Sequence, residues 1–355
     1  LRIAWIVYGA IDQPTGGYVY DRLQIDALRA SGAEVRVIAI ASGDAGDALA
    51  AQIGALAPYA VVGDALCVAE VGPAFARLER DPRAGPRATR ILLVHHFTSW
   101  EAEARDRGGL RRVEADAVRA SDALIATSSA TAARVAREHD RPVAVAPPGA
   151  DRLPRPPRAP RDPSIARLLF VGSVIPRKRI PLLLDAVERA LAASLALRLV
   201  GDASRDPAHA AAVGARIDGS PYLREHVARL GVLDDAELAG ELARADALVL
   251  PSSLEGYGMV VTEALFAGAP VIAARGAAPD EIARGGDGGG GVVLFDGAAE
   301  LDAAIARFAS DAALRDRLER AASARSHDLP TWRASSSGFV EAVSAAVAST
   351  SARSA

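Results

Sequence analysis

A single cysteine, Cys67, in 355 residues rules out an internal disulfide framework and fits a reducing compartment. Its own reading is buried packing. No apolar run reaches the ~20 residues that a membrane-spanning helix needs, so the chain reads as soluble. Leu1 to Tyr8 reads as a buried strand rather than as a charged-then-apolar export signal. Because Leu1 is not methionine, a native amino-terminal residue is expected to be missing from the sequence. Net charge is only −3, which gives no general electrostatic pull toward nucleic acid. No Asp-x-Asp occurs anywhere, so a common carboxylate pair for a divalent metal on a diphosphate is missing. Lysine is almost absent: Lys178 is the only one in a chain that otherwise uses arginine for positive charge. Half of the residues are hydrophobic, enough for two domains of ordinary size.

What is there centres on Leu248 to Ala274. Leu248-Val249-Leu250 is a short apolar run that Pro251 stops, as at the carboxyl end of a buried parallel strand. Gly256 and Gly258 flank Tyr257 and let backbone N–H groups approach a ligand, and Met259 to Phe266 reads as a helix that Gly268 ends. A glycine-rich turn into a helix start is an anion site. Two carboxylates accompany it, Glu255 on the loop and Glu263 inside the first turns of the helix. The helix dipole accounts for Glu263 alone but not for Glu255 and the two glycines.

The rest of the chain alternates strands and helices. Arg2–Val7, Val35–Ile40, Ala60–Val62, Ile91–Val94, Ala123–Ala126 and Val143–Ala146 read as strands, with helices at Tyr18–Ala30, Glu101–Ala120 and Ala130–Glu138. That order implies right-handed crossovers and a parallel sheet. After the first strand comes the turn-rich loop Gly9 to Gly17, which carries no G-x-G-x-x-G fingerprint. His95 and His96 end the Ile91 strand, where open α/β sheets present ligand groups. No Cys or His stands near them at ligand spacing, so hydrogen bonding to a hydroxyl is expected rather than a metal. Ser128-Ser129 and Pro147 to Asp151 read as ordinary turns.

Arg152 to Pro163 is Pro- and Arg-rich without apolar periodicity, hence a linker or extended surface segment with a solvated charged face. It places the domain boundary near residue 155. Beyond it Arg167–Val171 is a strand, Gly172 to Arg179 is a basic, glycine-led loop, and Ile180–Ala192 is a helix. Strands follow at Leu195–Val200, Val227–Leu233 and Val292–Phe295. Helices are expected at Ala236–Ala243, Ala298–Ala309 and Asp311–Ala324, and a last one from Trp332 to about Val347 with a frayed tail. Residues 284–291 read as a flexible low-complexity turn.

Glu255 to Glu263 with the intervening GYGMVVT resembles the E-x7-E motif of retaining, nucleotide-sugar-dependent glycosyltransferases of family 4. Ala264 to Ala273 and Pro279-Asp280-Glu281 continue the pattern, and the resemblance spans nearly the whole chain. It implies an α/β fold of two doubly wound, Rossmann-like parallel-sheet domains facing a cleft, of glycosyltransferase-B type. On that basis residues 1–155 would bind the acceptor, 156–330 the donor, and a helix in 331–355 would pack back on the first domain. The resemblance assigns Lys178 to the leaving diphosphate and favours His95 over His96 as the cleft histidine. It places the loop around Gly17 at the cleft and the turn at Val232 and Leu233 beside the nucleobase. Ser173 stands where many members have an arginine, and Arg177 is the adjacent substitute.

The expected donor contacts are thus Gly17, Ser173, Arg177, Lys178, Leu233, Glu255, Gly256, Tyr257, Gly258, Met259, Val260 and Glu263, with Glu255, His95 and Lys178 nearest the chemistry. Glu263 would hold the ribose and Glu255 the transferred sugar. The expected activity is retaining, metal-independent transfer from a nucleotide diphosphate sugar to a hydroxyl of a glycan, lipid or small metabolite, with no further cofactor and no nucleic-acid partner. The expected location is cytoplasmic, with peripheral contact at the inner membrane face left open. A nucleotide-sugar epimerase or hydrolase on the same fold is one alternative, to be distinguished by free or epimerised sugar without acceptor. A non-catalytic nucleotide-sugar-binding protein is another, and a nicotinamide oxidoreductase is disfavoured by the missing fingerprint.

Overall fold

Strands covered on both faces must be apolar at nearly every position, and the runs noted in the sequence become such strands. In the computed structural model, which describes residues 1–44, 46–80, 88–101, 104–162, 164–190, 194–283 and 289–354, the chain divides into two compact units. One is Leu1–Pro148 with Arg333–Ala355, the other Gly149–Trp332.

In the first unit the strands are β1 (Arg2–Tyr8), β2 (Glu34–Ile40), β3 (Ala60–Asp64), β4 (Thr89–Val94), β5 (Ala123–Ala126) and β6 (Ala144–Val145). They form one sheet in the order β2-β1-β3-β4-β5-β6, every pair parallel. β3 and β4 are buried throughout. The core on one face gathers Ile6, Ile53, Val71, Phe75, Leu92 and Phe97.

In the second unit β7 (Ala166–Val171), β8 (Leu195–Val200), β9 (Val227–Gly231), β10 (Ala247–Leu250), β11 (Val271–Ala274) and β12 (Val292–Phe295) align as β12-β11-β10-β7-β8-β9. All of these pairs are parallel too. Sequence order therefore reverses between β1 and β3 in the first sheet and between β7 and β10 in the second. At such a point successive crossovers leave in opposite directions, which opens a crevice outside the carboxyl ends of the strands.

Several elements differ from the sequence reading. The helices Gly46–Leu56, Val68–Arg80, Pro207–Asp218, Pro221–His226 and Ala277–Ala283 were not expected, because Ala- and Gly-rich stretches give weak periodicity and Pro73 stands inside one helix. The glycine run 284–288, the segment 102–103 of the expected Glu101 helix and residues 191–192 of the Ile180 helix lie outside the described residues. The last helix is Trp332–Ser354 and does not fray at Ser349. Thr350 is buried and its hydroxyl donates to the Ala346 carbonyl at 3.1 Å.

The segment Arg152 to Asp162 is not a solvated linker either. Arg155 donates to Ser326 at 3.1 Å, Arg158 to Glu319 at 3.0 Å and to the Leu242 carbonyl at 2.8 Å, and Arg161 to Asp246 at 3.2 Å. Its arginines strap it along the second unit, because each has a carboxylate, carbonyl or hydroxyl of that unit within reach.

The final helix completes the first unit. Phe339 is fully buried, with its ring 5.7 Å from Trp5 and 6.1 Å from Tyr20, and Gln24 donates to Ser335 at 3.1 Å. Phe339→Ala would leave a cavity against those rings and should destabilise the first unit by about 3–5 kcal/mol. Urea denaturation followed by tryptophan fluorescence reads this, since Trp5 reports the same contact. A midpoint equal to that of the wild-type protein would show that the helix contributes nothing to that core.

Candidate functional site

Two clusters form where the strand order reverses. In the second unit the loops after β7 and β10 meet. Gly201, after β8, approaches so closely that a Cβ there would lie 1.9 Å from the Gly172 carbonyl oxygen, so this corner tolerates no side chain. Pro176–Lys178 makes a short 3-10 turn and aims the basic residues across to the β10 loop. Arg177 donates to the Leu254 carbonyl at 2.6 Å and lies 3.7 Å from Glu255, while Ser253 N–H donates back to the Arg177 carbonyl at 2.9 Å. Lys178 Nζ donates to Glu255 Oε1 at 2.6 Å, both side chains about nine-tenths buried. Lys178 is therefore not the exposed loop lysine that its setting in sequence implied. Burial pushes the Glu255 carboxyl up, but the positive charges of Lys178 and Arg177 outweigh it and hold it below its usual range.

Gly258 begins the helix Met259–Phe266 from the left-handed region, at φ +81°, and no side chain caps that start. Only glycine adopts this conformation at little cost, and the first N–H groups of the helix, with the positive end of its dipole, stand next to Glu255. Tyr257 is 8% exposed and packs its ring into the core. Burial pushes its hydroxyl up to about 12, so Tyr257, like Gly256, can offer a ligand its backbone.

Glu263 sits one turn further along and is only 4% exposed. Arg152 grips its Oε1 with Nε at 3.0 Å and Nη2 at 2.9 Å, and pairs its remaining Nη1 with Asp235. Burial raises the Glu263 carboxyl above its ordinary value, although Arg152 opposes this. Ser173 and Leu233 line the loops after β7 and β9, half-buried, with Val232 exposed beside Leu233.

The first unit holds the second cluster. His95 ends β4, Asp64 ends β3, and Asp21 comes from the helix Gly16–Ala30. His95 Nε2 lies 3.1 Å from Asp21 Oδ1. Asp21 is fully buried and also lies 3.4 Å from the Trp5 indole N–H, while Asp64 accepts from Leu66 N–H at 2.8 Å. The ring of Tyr20 meets His95 edge-on at 5.4 Å. Gly17, in the first turn of that helix, faces the same imidazole, where a Cβ would sit 3.7 Å from the ring. His96 turns instead to Glu101, at 2.6 Å.

Among the described residues Asp21, Asp64 and His95 are the group whose potential ligand atoms all lie within 4.8 Å of one another. Burial would lower the His95 pKa, but the Asp21 hydrogen bond and the charges of Asp21 and Asp64 raise it overall. One imidazole thus sits between two acidic side chains. Asp64 is pushed up to about 6, by burial first, with His95 opposing and Asp21 reinforcing.

The structure therefore joins Arg177, Lys178 and Glu255 directly, sets Gly258 to Val260 beside them, and gives Glu263 its own partner. His95 and Gly17 belong to the first unit. Arg152, Asp21 and Asp64 escaped the sequence reading. Asp64 carried a signal, since it ends a strand as His95 does. Asp21 lies inside a helix and Arg152 in a segment that reads as linker, so neither did.

The Asp21–Asp64–His95 cluster has a pH signature. Asp64 has a folded value near 6 against an ordinary 3.8, so the folded protein binds the extra proton between those values, and the stability this contributes at low pH is lost as pH rises through about 6. His95, also raised, adds a loss of the same sign above its ordinary value of 6.5. Asp64→Asn cannot ionise, so the fall in Tm between pH 5 and pH 7.5 should be smaller than in the wild-type protein. An unchanged slope would mean that Asp64 is ionised throughout.

Residues 166–311 match the family model of glycosyl transferases group 1. The chain is 31% identical over 280 residues to the D-inositol 3-phosphate glycosyltransferase of Streptomyces griseus, covering 66% of this chain and 56% of that protein. It is 34% identical over 154 residues to the phosphatidyl-myo-inositol mannosyltransferase of Mycobacterium leprae, covering 42% of this chain and 39% of that one. The chain thus spans about half the length of these curated relatives, or less. Among solved structures, sucrose-phosphate synthase from Thermosynechococcus elongatus superposes with a TM-score of 0.80 at 19% identity, covering 98% of this chain and 99% of that one. Anabaena HepE in complex with UDP and glucose superposes with a TM-score of 0.76 at 19% identity, covering 97% and 99%. At these identities the likeness is one of fold, the two-sheet glycosyltransferase-B architecture. The family match falls within the second unit, over most of its length.

Proposed function

We propose that the protein is a retaining glycosyltransferase that moves a sugar from a nucleotide diphosphate sugar to a hydroxyl acceptor without an essential metal. The observation that carries this reading is the buried Lys178–Glu255 pair beside the uncapped helix start at Gly258. It supplies an anion site and a carboxylate within one crevice, the two things that departure of a diphosphate from a sugar requires. As the bond from the anomeric carbon to the diphosphate oxygen breaks, negative charge grows on the phosphate and positive charge on the sugar. Lys178, Arg177 and the N–H groups of Gly258, Met259 and Val260 stabilise the first, and Glu255 the second. Such preorganised charge is the main catalytic term.

Glu263 takes the ribose hydroxyls, and Leu233 borders the base. In the first unit His95, hydrogen-bonded to Asp21, is suited to contact a sugar or acceptor oxygen. The relatives named as glycosyltransferases support the reaction class. Protein cations replace a metal in this reading because no Asp-x-Asp is present to hold one, and Arg177 rather than Ser173 adds the second positive charge.

The first test is a panel of nucleotide diphosphate sugars scored for thermal stabilisation, because a bound donor raises Tm by mass action. One donor class should stand out, and turnover with it should persist in excess EDTA at constant ionic strength. Loss in EDTA with rescue by manganese would overturn metal independence, and sugar released equally with and without acceptor would make the protein a hydrolase. Lys178→Ala removes a charge-assisted contact worth about 1.5–3 kcal/mol, roughly ten- to a hundredfold in kcat/KM. Because it also leaves Glu255 buried without its nearest cation, Tm should fall too. Wild-type kinetics in that variant would end the assignment of Lys178.

A further inference from the structure

Arg152 is the first residue of the segment that reads as a linker, yet its guanidinium is the most committed group near the donor crevice. It is 14% exposed, against 4% for Glu263 and 63% for Asp235. Two of its nitrogens converge on one oxygen, Glu263 Oε1, at 2.9 and 3.0 Å. The third reaches Asp235, in the first turn of the helix that follows the Val232-Leu233 turn. Asp234 caps that helix through a capping box with Glu237, so the carboxylate that Arg152 meets belongs to a fixed element.

We propose that Arg152 is a positioning residue for the nucleoside half of the donor site, holding Glu263 ionised and aimed so that its second oxygen accepts from a ribose diol, while Asp235 ties the turn beside the base to the same guanidinium. This rests on the reading of Glu263 as the ribose ligand. The chemical reason lies in the burial of Glu263. A carboxylate with so little access to water keeps its charge only beside a cation, and burial already raises Glu263 against the pull of Arg152. Without the arginine the carboxyl would take a proton and become a donor or a weak acceptor. Two N–H groups of one rigid guanidinium also hold that single oxygen in place, a paired contact set by the guanidinium fork that a lysine ammonium lacks.

The consequence is specific to ribose. A nucleoside diphosphate and its 2′-deoxy counterpart share base and phosphates and differ in the hydroxyl that Glu263 reads. The experiment measures Kd by calorimetry for uridine, guanosine and adenosine diphosphates, each beside its 2′-deoxy form, with wild-type protein, Arg152→Met and Arg152→Lys.

For the base that binds, the wild-type protein should prefer the ribose form by about tenfold or more, the scale of one hydrogen bond to a charged group. Arg152→Met should bring the ratio close to one, and Arg152→Lys should leave an intermediate ratio. Glu263→Gln should lower the ratio as well, and adding Arg152→Met to it should change the ratio no further, since both act through one oxygen pair. A purely structural Arg152 would weaken ribose and deoxyribose forms alike and keep their ratio, and that result would overturn the proposal. If Arg152→Met does not fold, Arg152→Lys decides: an unchanged ratio in it would overturn the proposal too. Absence of binding by any nucleoside diphosphate to the wild-type protein would overturn the donor-site reading itself, and this inference with it.

Discussion

A carboxylate taken out of water must have a cation beside it or give up its charge, and that requirement organises both clusters of this protein. Glu255 has Lys178, Glu263 has Arg152, and Asp21 has His95. The three pairs differ in outcome. Two cations outweigh burial at Glu255 and hold it below its usual range; one arginine does not outweigh burial at Glu263. In the first unit two acidic side chains share a single histidine, and burial, which His95 only partly opposes, leaves Asp64 near 6. The same rule thus produces a carboxylate held by two cations at Glu255 and a carboxyl left near 6 at Asp64.

These groups meet because of strand order. In a parallel sheet every strand ends on the same edge, and side chains that follow different strands converge only where successive crossovers diverge. β7 and β10 are neighbours in the second sheet although β8 and β9 come between them in sequence, which sets Lys178 opposite Glu255 across a separation of 77 residues. β1 and β3 do the same for Asp21, on the helix that follows β1, and Asp64, with His95 on the next strand end beside them. The carboxyl edges also receive helix starts, so the dipole of Met259–Phe266 adds to the positive charge already there.

Much of this was legible beforehand. Leu248-Val249-Leu250 before Pro251 named a buried strand, Gly256 and Gly258 named a turn into a helix start, and Glu255 and Glu263 fell one on the loop and one on the helix. The basic turn before Ile180 was equally plain. What was not legible was partnership. Arg152 read as solvated because a Pro- and Arg-rich run has no periodicity of its own, and its carboxylates stand 83 and 111 residues away. Lys178 gave no sign of burial in sequence, because a loop lysine is usually exposed and only the opposing loop buries it. The Ala-rich helices of both units escaped because small side chains give little contrast between faces.

The sequence by itself determined the α/β alternation, the two glycine-led helix starts and the identity of most groups that line the candidate donor site, since these depend on local propensity and on patterns a few residues long. Tertiary structure alone decided which charges are buried and with whom. It turned Tyr257 into the core and His96 toward Glu101, drew Asp21 and Asp64 around His95, and made a strap of Arg152 to Asp162. The physical reason is that hydrogen bonding and ion pairing act at about 3 Å, and no sequence pattern reports a distance of that size between residues a hundred positions apart.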